Sequence, residues 1–113
     1  MTGGRLTTHV LDTAGGGPAA GMPLDLFRLD GDARRHLGHF RTNADGRCDA
    51  PLLAGDALPA GVYEIVFAVG AWRGQGAGFY DAVPIRFRVD DPRAHYHVPL
   101  ILAPFGYSTY RGS

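Results

Sequence analysis

Apolar and polar residues alternate along this chain in short runs, each closed by glycine, proline or aspartate, and that pattern predicts strands. The runs are Arg5 to Asp12, Leu24 to Asp30, His36 to Thr42, a short piece at Arg47 to Ala50, Gly61 to Val69, Ile85 to Val89, His95 to Leu102 and Tyr107 to Tyr110. Between them stand Gly15-Gly16-Gly17-Pro18, Asp30-Gly31-Asp32, Asn43-Ala44-Asp45-Gly46, Leu58-Pro59-Ala60-Gly61 and Asp90-Asp91-Pro92. Glycine supplies positive φ at such corners, and proline fixes φ without donating to a ladder. One short helix fits, at Gly70 to Gly78, against the low helix propensity of its four glycines. The pattern is that of an all-β sandwich or barrel with at most one short helix.

Neighbours along a strand point to opposite faces, so alternation also assigns directions. In the first run Leu6, Thr8 and Val10 share one side and Thr7, His9 and Leu11 the other. In the run from His95, the residues Tyr96, Val98, Leu100 and Leu102 make an apolar, core-facing side, leaving His95, His97, Pro99 and Ile101 on the reverse. His9 and His97 therefore point away from the core, and they meet if their strands are neighbours. Leu11 and Ile101 on the same surface suggest a second subunit over it. His36 and His39 differ in parity and are expected on opposite faces.

Composition narrows the partners. The 113 residues make one domain, long enough to bury about two-thirds of the unfolded chain's surface. Eleven basic and 11 acidic residues, with no cluster of either sign, give no footprint for nucleic acid or an anionic membrane. Cys48 is the only cysteine, which excludes an intrachain disulfide framework. Met1-Thr2-Gly3-Gly4-Arg5 carries no apolar targeting segment and no run approaches the roughly 18 apolar residues of a membrane span, so a soluble cytoplasmic protein is expected, provided no presequence preceded this numbering. The last four residues, Tyr110-Arg111-Gly112-Ser113, combine a phenol, a guanidinium, a hydroxyl and a carboxylate, a candidate wall for a binding site.

Thr8-His9-Val10-Leu11-Asp12, Gly16-Gly17-Pro18-Ala19, Asp45-Gly46-Arg47, His95-Tyr96-His97-Val98-Pro99-Leu100 and the ending Tyr107-Ser108-Thr109-Tyr110-Arg111-Gly112-Ser113 together resemble the 5-hydroxyisourate hydrolases, the transthyretin-related enzymes of urate breakdown. The resemblance runs over essentially the whole chain, 1–113, and its most specific piece is the terminal Tyr-Arg-Gly-Ser. It implies a transthyretin-like two-sheet sandwich of about eight strands, a homotetramer with a central channel and sites where dimers meet, and no cofactor. It also implies hydrolytic opening of a lactam bond in 5-hydroxyisourate to give 2-oxo-4-hydroxy-4-carboxy-5-ureidoimidazoline. By the same resemblance His9, Arg47 and His97 are the catalytic set and Tyr110, Arg111, Gly112 and Ser113 bind substrate.

The residue types suit that chemistry. Water attacks an amide-like carbonyl only as a base takes its proton, and an imidazole titrating near neutrality suits the task. A permanently cationic, fork-shaped guanidinium orients a flat ring and holds charge on the carbonyl oxygen. Two other chemistries compete. Cys48 beside Arg47 is a potential nucleophile, but nothing near it in sequence lowers its pKa and a free cysteine is usually a small buried apolar residue. His95-x-His97 with His9 has the make-up of a three-nitrogen zinc site, without a fixed carboxylate behind it. A transthyretin-like small-ligand carrier and a relative acting on another cyclic imide or lactam are the remaining alternatives; paired imidazoles with a guanidinium favour the hydrolase.

Overall fold

In the computed structural model, which describes residues 3–74 and 78–112, the chain forms two packed sheets. The strands are β1 (Arg5–Asp12), β2 (Gly17–Pro18), β3 (Pro23–Asp30), β4 (Ala33–Arg41), β5 (Leu53–Ala54), β6 (Gly61–Ala68), β7 (Ala82–Val89), β8 (His95–Ala103) and β9 (Gly106–Thr109). One sheet has the order β2-β1-β8-β9, with β5 also on β1; the other has the order β4-β3-β6-β7. A single 3-10 turn, Gly55–Ala57, and one short helix, α1 (Val69–Arg73), are the helical elements among the described residues.

The alternation read from sequence closes the core. Leu6 and Val10 of β1, Leu24 and Leu26 of β3, Tyr63, Ile65 and Phe67 of β6, and Val98, Leu100 and Leu102 of β8 meet between the sheets. Each large apolar side chain taken fully out of water there stabilises the fold by about 1.5–3 kcal/mol. Thr8 faces inward too, its hydroxyl satisfied by donation to the Val98 carbonyl at 2.7 Å. Thr42, also buried, donates to the Ala19 carbonyl at 2.6 Å and accepts from the Met22 amide at 2.8 Å, which fastens the end of β4 to the segment leading into β3.

One pairing positions the site. β1 and β8 are parallel neighbours, in the register Arg5 to His95, Thr7 to His97 and His9 to Pro99. Every other pairing among the described residues is antiparallel. A parallel pair needs a long crossover, and here nearly the whole chain serves as one. Residues about 90 positions apart, such as Thr7 and His97, are thereby placed side by side on one surface.

Gly17–Pro18 pairs as β2 where a turn is expected, and β4 and β7 begin three residues earlier than the expected His36 and Ile85; the departures nearest the chemistry are these. Arg47 to Ala50 is not a strand: Arg47 makes one isolated bridge to His9, and its amide and carbonyl are taken up by the turn, with Asn43 Oδ1 at 3.2 Å and the Asn43 amide at 2.6 Å. The edge pairing to β1 comes instead from Leu53–Ala54, after Pro51, which has no amide to donate. The helix is shorter than Gly70 to Gly78 and starts earlier, ending where Gly74 takes φ 87°; residues 75–77 of that prediction lie outside the described residues. His36 and His39 do not point to opposite faces. A β-bulge at the Leu26/Phe27 register shift adds a residue to β4, and both imidazoles reach Asp25 Oδ1, at 2.8 and 3.0 Å. These two histidines hold the Asp25 carboxyl below its ordinary value, against the opposing effect of burial.

Candidate active site

Three segments converge on the outer face of the β1–β8 pair. β1 presents Arg5, Thr7 and His9, and β8 presents His95 and His97 directly alongside. The turn at 43–47 packs over them. Asn43 builds this turn, its side-chain carbonyl accepting from the Asp45 amide at 2.9 Å and the Arg47 amide at 3.2 Å. Gly46 takes φ 76° with the Val10 carbonyl against it, leaving no room for a side chain, and its own carbonyl accepts from the Val10 amide at 2.8 Å. The result is Arg47 held opposite His9 in an antiparallel bridge.

The third segment is the chain's end. The Gly112 amide donates to the His97 carbonyl at 2.8 Å, and any side chain at 112 would strike the His97 ring. Gly112 is thus a backing plate for that imidazole. Arg111 turns the other way, lying 4.3 Å over the Tyr96 ring and reaching the His95 carbonyl at 3.4 Å.

A cavity of about 430 Å³ opens on this face, with Arg5, Thr7, Arg47, Cys48, His95 and His97 in its wall. That volume is within the range of small-molecule sites. Of the expected set, Arg47 and His97 stand in the wall of this cavity, while His9 and Gly112 adjoin it through their bridges to Arg47 and His97. Tyr110 and Arg111 are not in it within one chain: both line a separate cleft of about 260 Å³ with Phe87, Tyr96 and Val98, and Tyr110 is largely exposed. Ser113 lies outside the described residues.

The hydrogen bonds distinguish the imidazoles. His9 Nε2 donates to the Asp45 carbonyl at 2.9 Å, which leaves Nδ1 as the free nitrogen of the neutral ring. His97 Nδ1 and His95 Nε2 share one partner, the Thr7 hydroxyl, at 2.8 and 2.7 Å. Burial pushes the His97 pKa below the ordinary imidazole value, reinforced by the cation of Arg47 and by His95 and His9. Burial followed by Arg5 moves His95 the same way. Both effects favour the neutral ring, the form in which an imidazole takes a proton.

The competing chemistries find little here. The two nitrogens of the His95-x-His97 pair that approach each other are occupied by Thr7, the ring centroids stand 6.1 Å apart, and no set of three or more potential ligands gathers to hold a metal ion among the described residues. Cys48 is half-buried, and burial with the neighbouring Asp49 carboxylate pushes its thiol up, the reverse of an activated nucleophile. Parity alone put Thr7 on the His9 face, yet a threonine in a strand reads as an ordinary β-former, so its contact with two imidazoles was not foreseen. Arg5 reads as a solvated charge at the start of a strand and Asn43 as an ordinary turn residue, so neither signals a site.

The match to the HIUase/Transthyretin family model extends over residues 6–112. A relative named 5-hydroxyisourate hydrolase, from Mesorhizobium japonicum, is 62% identical, the alignment covering 98% of this chain and 94% of the relative. Among solved structures, Klebsiella pneumoniae 5-hydroxyisourate hydrolase superimposes with a TM-score of 0.82 at 37% identity, over 97% of this chain and 99% of the other. Transthyretin from Sparus aurata gives a TM-score of 0.87 at 28% identity, over 96% of each chain.

Proposed function

The chain belongs to the HIUase/transthyretin family, and we propose that it is a 5-hydroxyisourate hydrolase, opening a lactam bond of its substrate to give 2-oxo-4-hydroxy-4-carboxy-5-ureidoimidazoline in urate breakdown. The observation that carries this reading is the cavity where the imidazoles of His95 and His97 meet the Arg47 guanidinium, in a chain 62% identical to a protein of that name. The carrier alternative is the weaker one, since transthyretin stands at 28% identity.

In this proposal His97 is the base. It lines the cavity and its pKa is lowered, so it is neutral when water arrives, whereas His9 has its Nε2 hydrogen committed to Asp45. As water attacks the lactam carbonyl carbon, one of its protons passes to His97. The carbonyl oxygen gains negative charge, which the Arg47 guanidinium offsets in a partly water-excluded site. The C–N bond then breaks and the departing nitrogen takes the proton that His97 received from water, which returns His97 to its neutral form; the lone pair on His9 Nδ1 accepts a hydrogen bond from the attacking water. A positioned acid or base of this kind contributes roughly 10²–10⁴-fold in rate. Side chains perform every step, and no cofactor enters.

Tyr110, Arg111, Gly112 and Ser113 are proposed as substrate-binding residues. Gly112 acts from behind His97, while Tyr110 and Arg111 at the sheet edge act once subunits assemble. A homotetramer with sites where dimers meet, a single hydrolase domain over residues 1–113 and a cytoplasmic location belong to the same proposal. Half-buried Leu11 and Ile101 on the same face as the site, and Phe105 and Tyr107 exposed at the far end of that sheet, favour assembly. Generating 5-hydroxyisourate with urate oxidase, adding the protein and following the ultraviolet absorbance tests the reading: decay faster than the spontaneous rate supports it, and an unchanged rate contradicts it.

A further inference from the structure

We propose that Thr7 and His95 are positioning residues for His97, forming a hydrogen-bonded chain that holds its imidazole with Nδ1 protonated and Nε2 free. The inference rests on the hydrolase reading of this pocket and deepens it.

The Thr7 hydroxyl has one hydrogen and touches two imidazole nitrogens, so only two neutral arrangements satisfy both contacts. In one, His95 Nε2–H donates to Thr7 and Thr7 donates to His97 Nδ1; His97 Nε2 then carries the ring's hydrogen and cannot act as a base. In the other, His97 Nδ1–H donates to Thr7 and Thr7 donates to His95 Nε2, leaving a lone pair on His97 Nε2. Only the second survives the reaction. When Nε2 takes a proton the ring has hydrogens on both nitrogens, so Nδ1 must still donate, and Thr7 must still pass its own hydrogen to an acceptor. His95 is that acceptor.

The surroundings keep His95 in the accepting form. Arg5, beside it on β1, and partial burial both disfavour its protonation. The other charged or titratable groups on this face are Arg47, Cys48, His9 and Asp49, while Arg111 approaches His95 only at its backbone carbonyl. Gly112 closes the opposite edge of the His97 ring, so the imidazole is fixed between a hydrogen bond and a backbone.

The test combines ¹⁵N NMR of the histidine rings with kinetics of Thr7→Val and Thr7→Ser. In the wild-type protein near pH 7 His97 is expected to show hydrogen on Nδ1 and a lone pair on Nε2. Thr7→Val should give a mixed tautomer and lower kcat by about tenfold or more with KM nearly unchanged, while Thr7→Ser stays within about threefold of wild type. An Nε2–H tautomer in the wild type, or a Thr7→Val variant with unchanged kcat and spectrum, overturns the proposal. The wild-type spectrum decides the point even if a variant misfolds. A wild-type protein inert towards 5-hydroxyisourate contradicts the hydrolase reading instead, with the tautomer still settled by NMR.

Discussion

The Gly112 amide donates a 2.8 Å hydrogen bond to the His97 carbonyl, and the space above Gly112 is filled by the His97 ring. A methyl group there displaces the ring or breaks the bridge. Displacement of a catalytic group by about 1 Å costs on the order of 10²-fold in rate, so Gly112→Ala is expected to lower kcat/KM by tens to hundreds of fold. Its unfolding midpoint should barely change, because residue 112 lies outside the core. Steady-state kinetics beside thermal unfolding checks both halves.

The rate should fall on the acid side at a pH below the ordinary imidazole value. Protonation of His97 removes the base, and burial, Arg47, His95 and His9 all oppose that protonation. The acid limb of kcat/KM is therefore expected below about pH 6.5. Arg47→Met takes away one cation and should move the His97 titration upward, read by NMR irrespective of the variant's activity. The linkage has a matching sign: the unfolded chain binds protons at His95 and His97 more readily than the folded one, so stability falls as pH drops through the ordinary imidazole range.

Thr42 bonds two backbone groups at once, the Ala19 carbonyl and the Met22 amide. Thr42→Val keeps the shape and strands both partners out of water. A loss of about 1–3 kcal/mol is expected from urea unfolding. Thr42 directly precedes Asn43, whose turn carries Arg47, so a modest loss of kcat should accompany the loss of stability.

Exhaustive chelation is expected to leave the hydrolytic rate unchanged, because proton transfer and charge stabilisation are both assigned to side chains. Activity lost on chelation and restored by added zinc would instead mean that His95 and His97 hold a metal.

Much of this arrangement was legible in the chain. The bounds of β1 and the inward faces of β1 and β8 follow from alternation alone, since one sheet face is buried and the other is not. The common face of His9 and His97 followed from the same parity, but their adjacency needed the parallel pairing across the whole chain. What escaped was whatever a backbone irregularity or a hydroxyl decides. The β4 bulge reverses parity between His36 and His39, and Gly38 beside it is the one sequence cue, a strand-interior glycine that marks a bulge without saying which face follows. Arg47 looks like the start of a strand, yet Asn43 claims its amide. The terminal residues were expected to act as one wall, whereas strand alternation past β9 sends Gly112 to His97 and Arg111 to Tyr96.

The proposed catalytic roles of Arg47 and His97 in the cavity wall, and of His9 beside them, are tested most directly by replacing each singly, as His9→Asn, Arg47→Met and His97→Asn, and following 5-hydroxyisourate decay beside sedimentation of each variant. The account predicts a loss of about 10²-fold or more in kcat/KM for each, with the assembly unchanged. Wild-type rates from an intact His97→Asn assembly would contradict it.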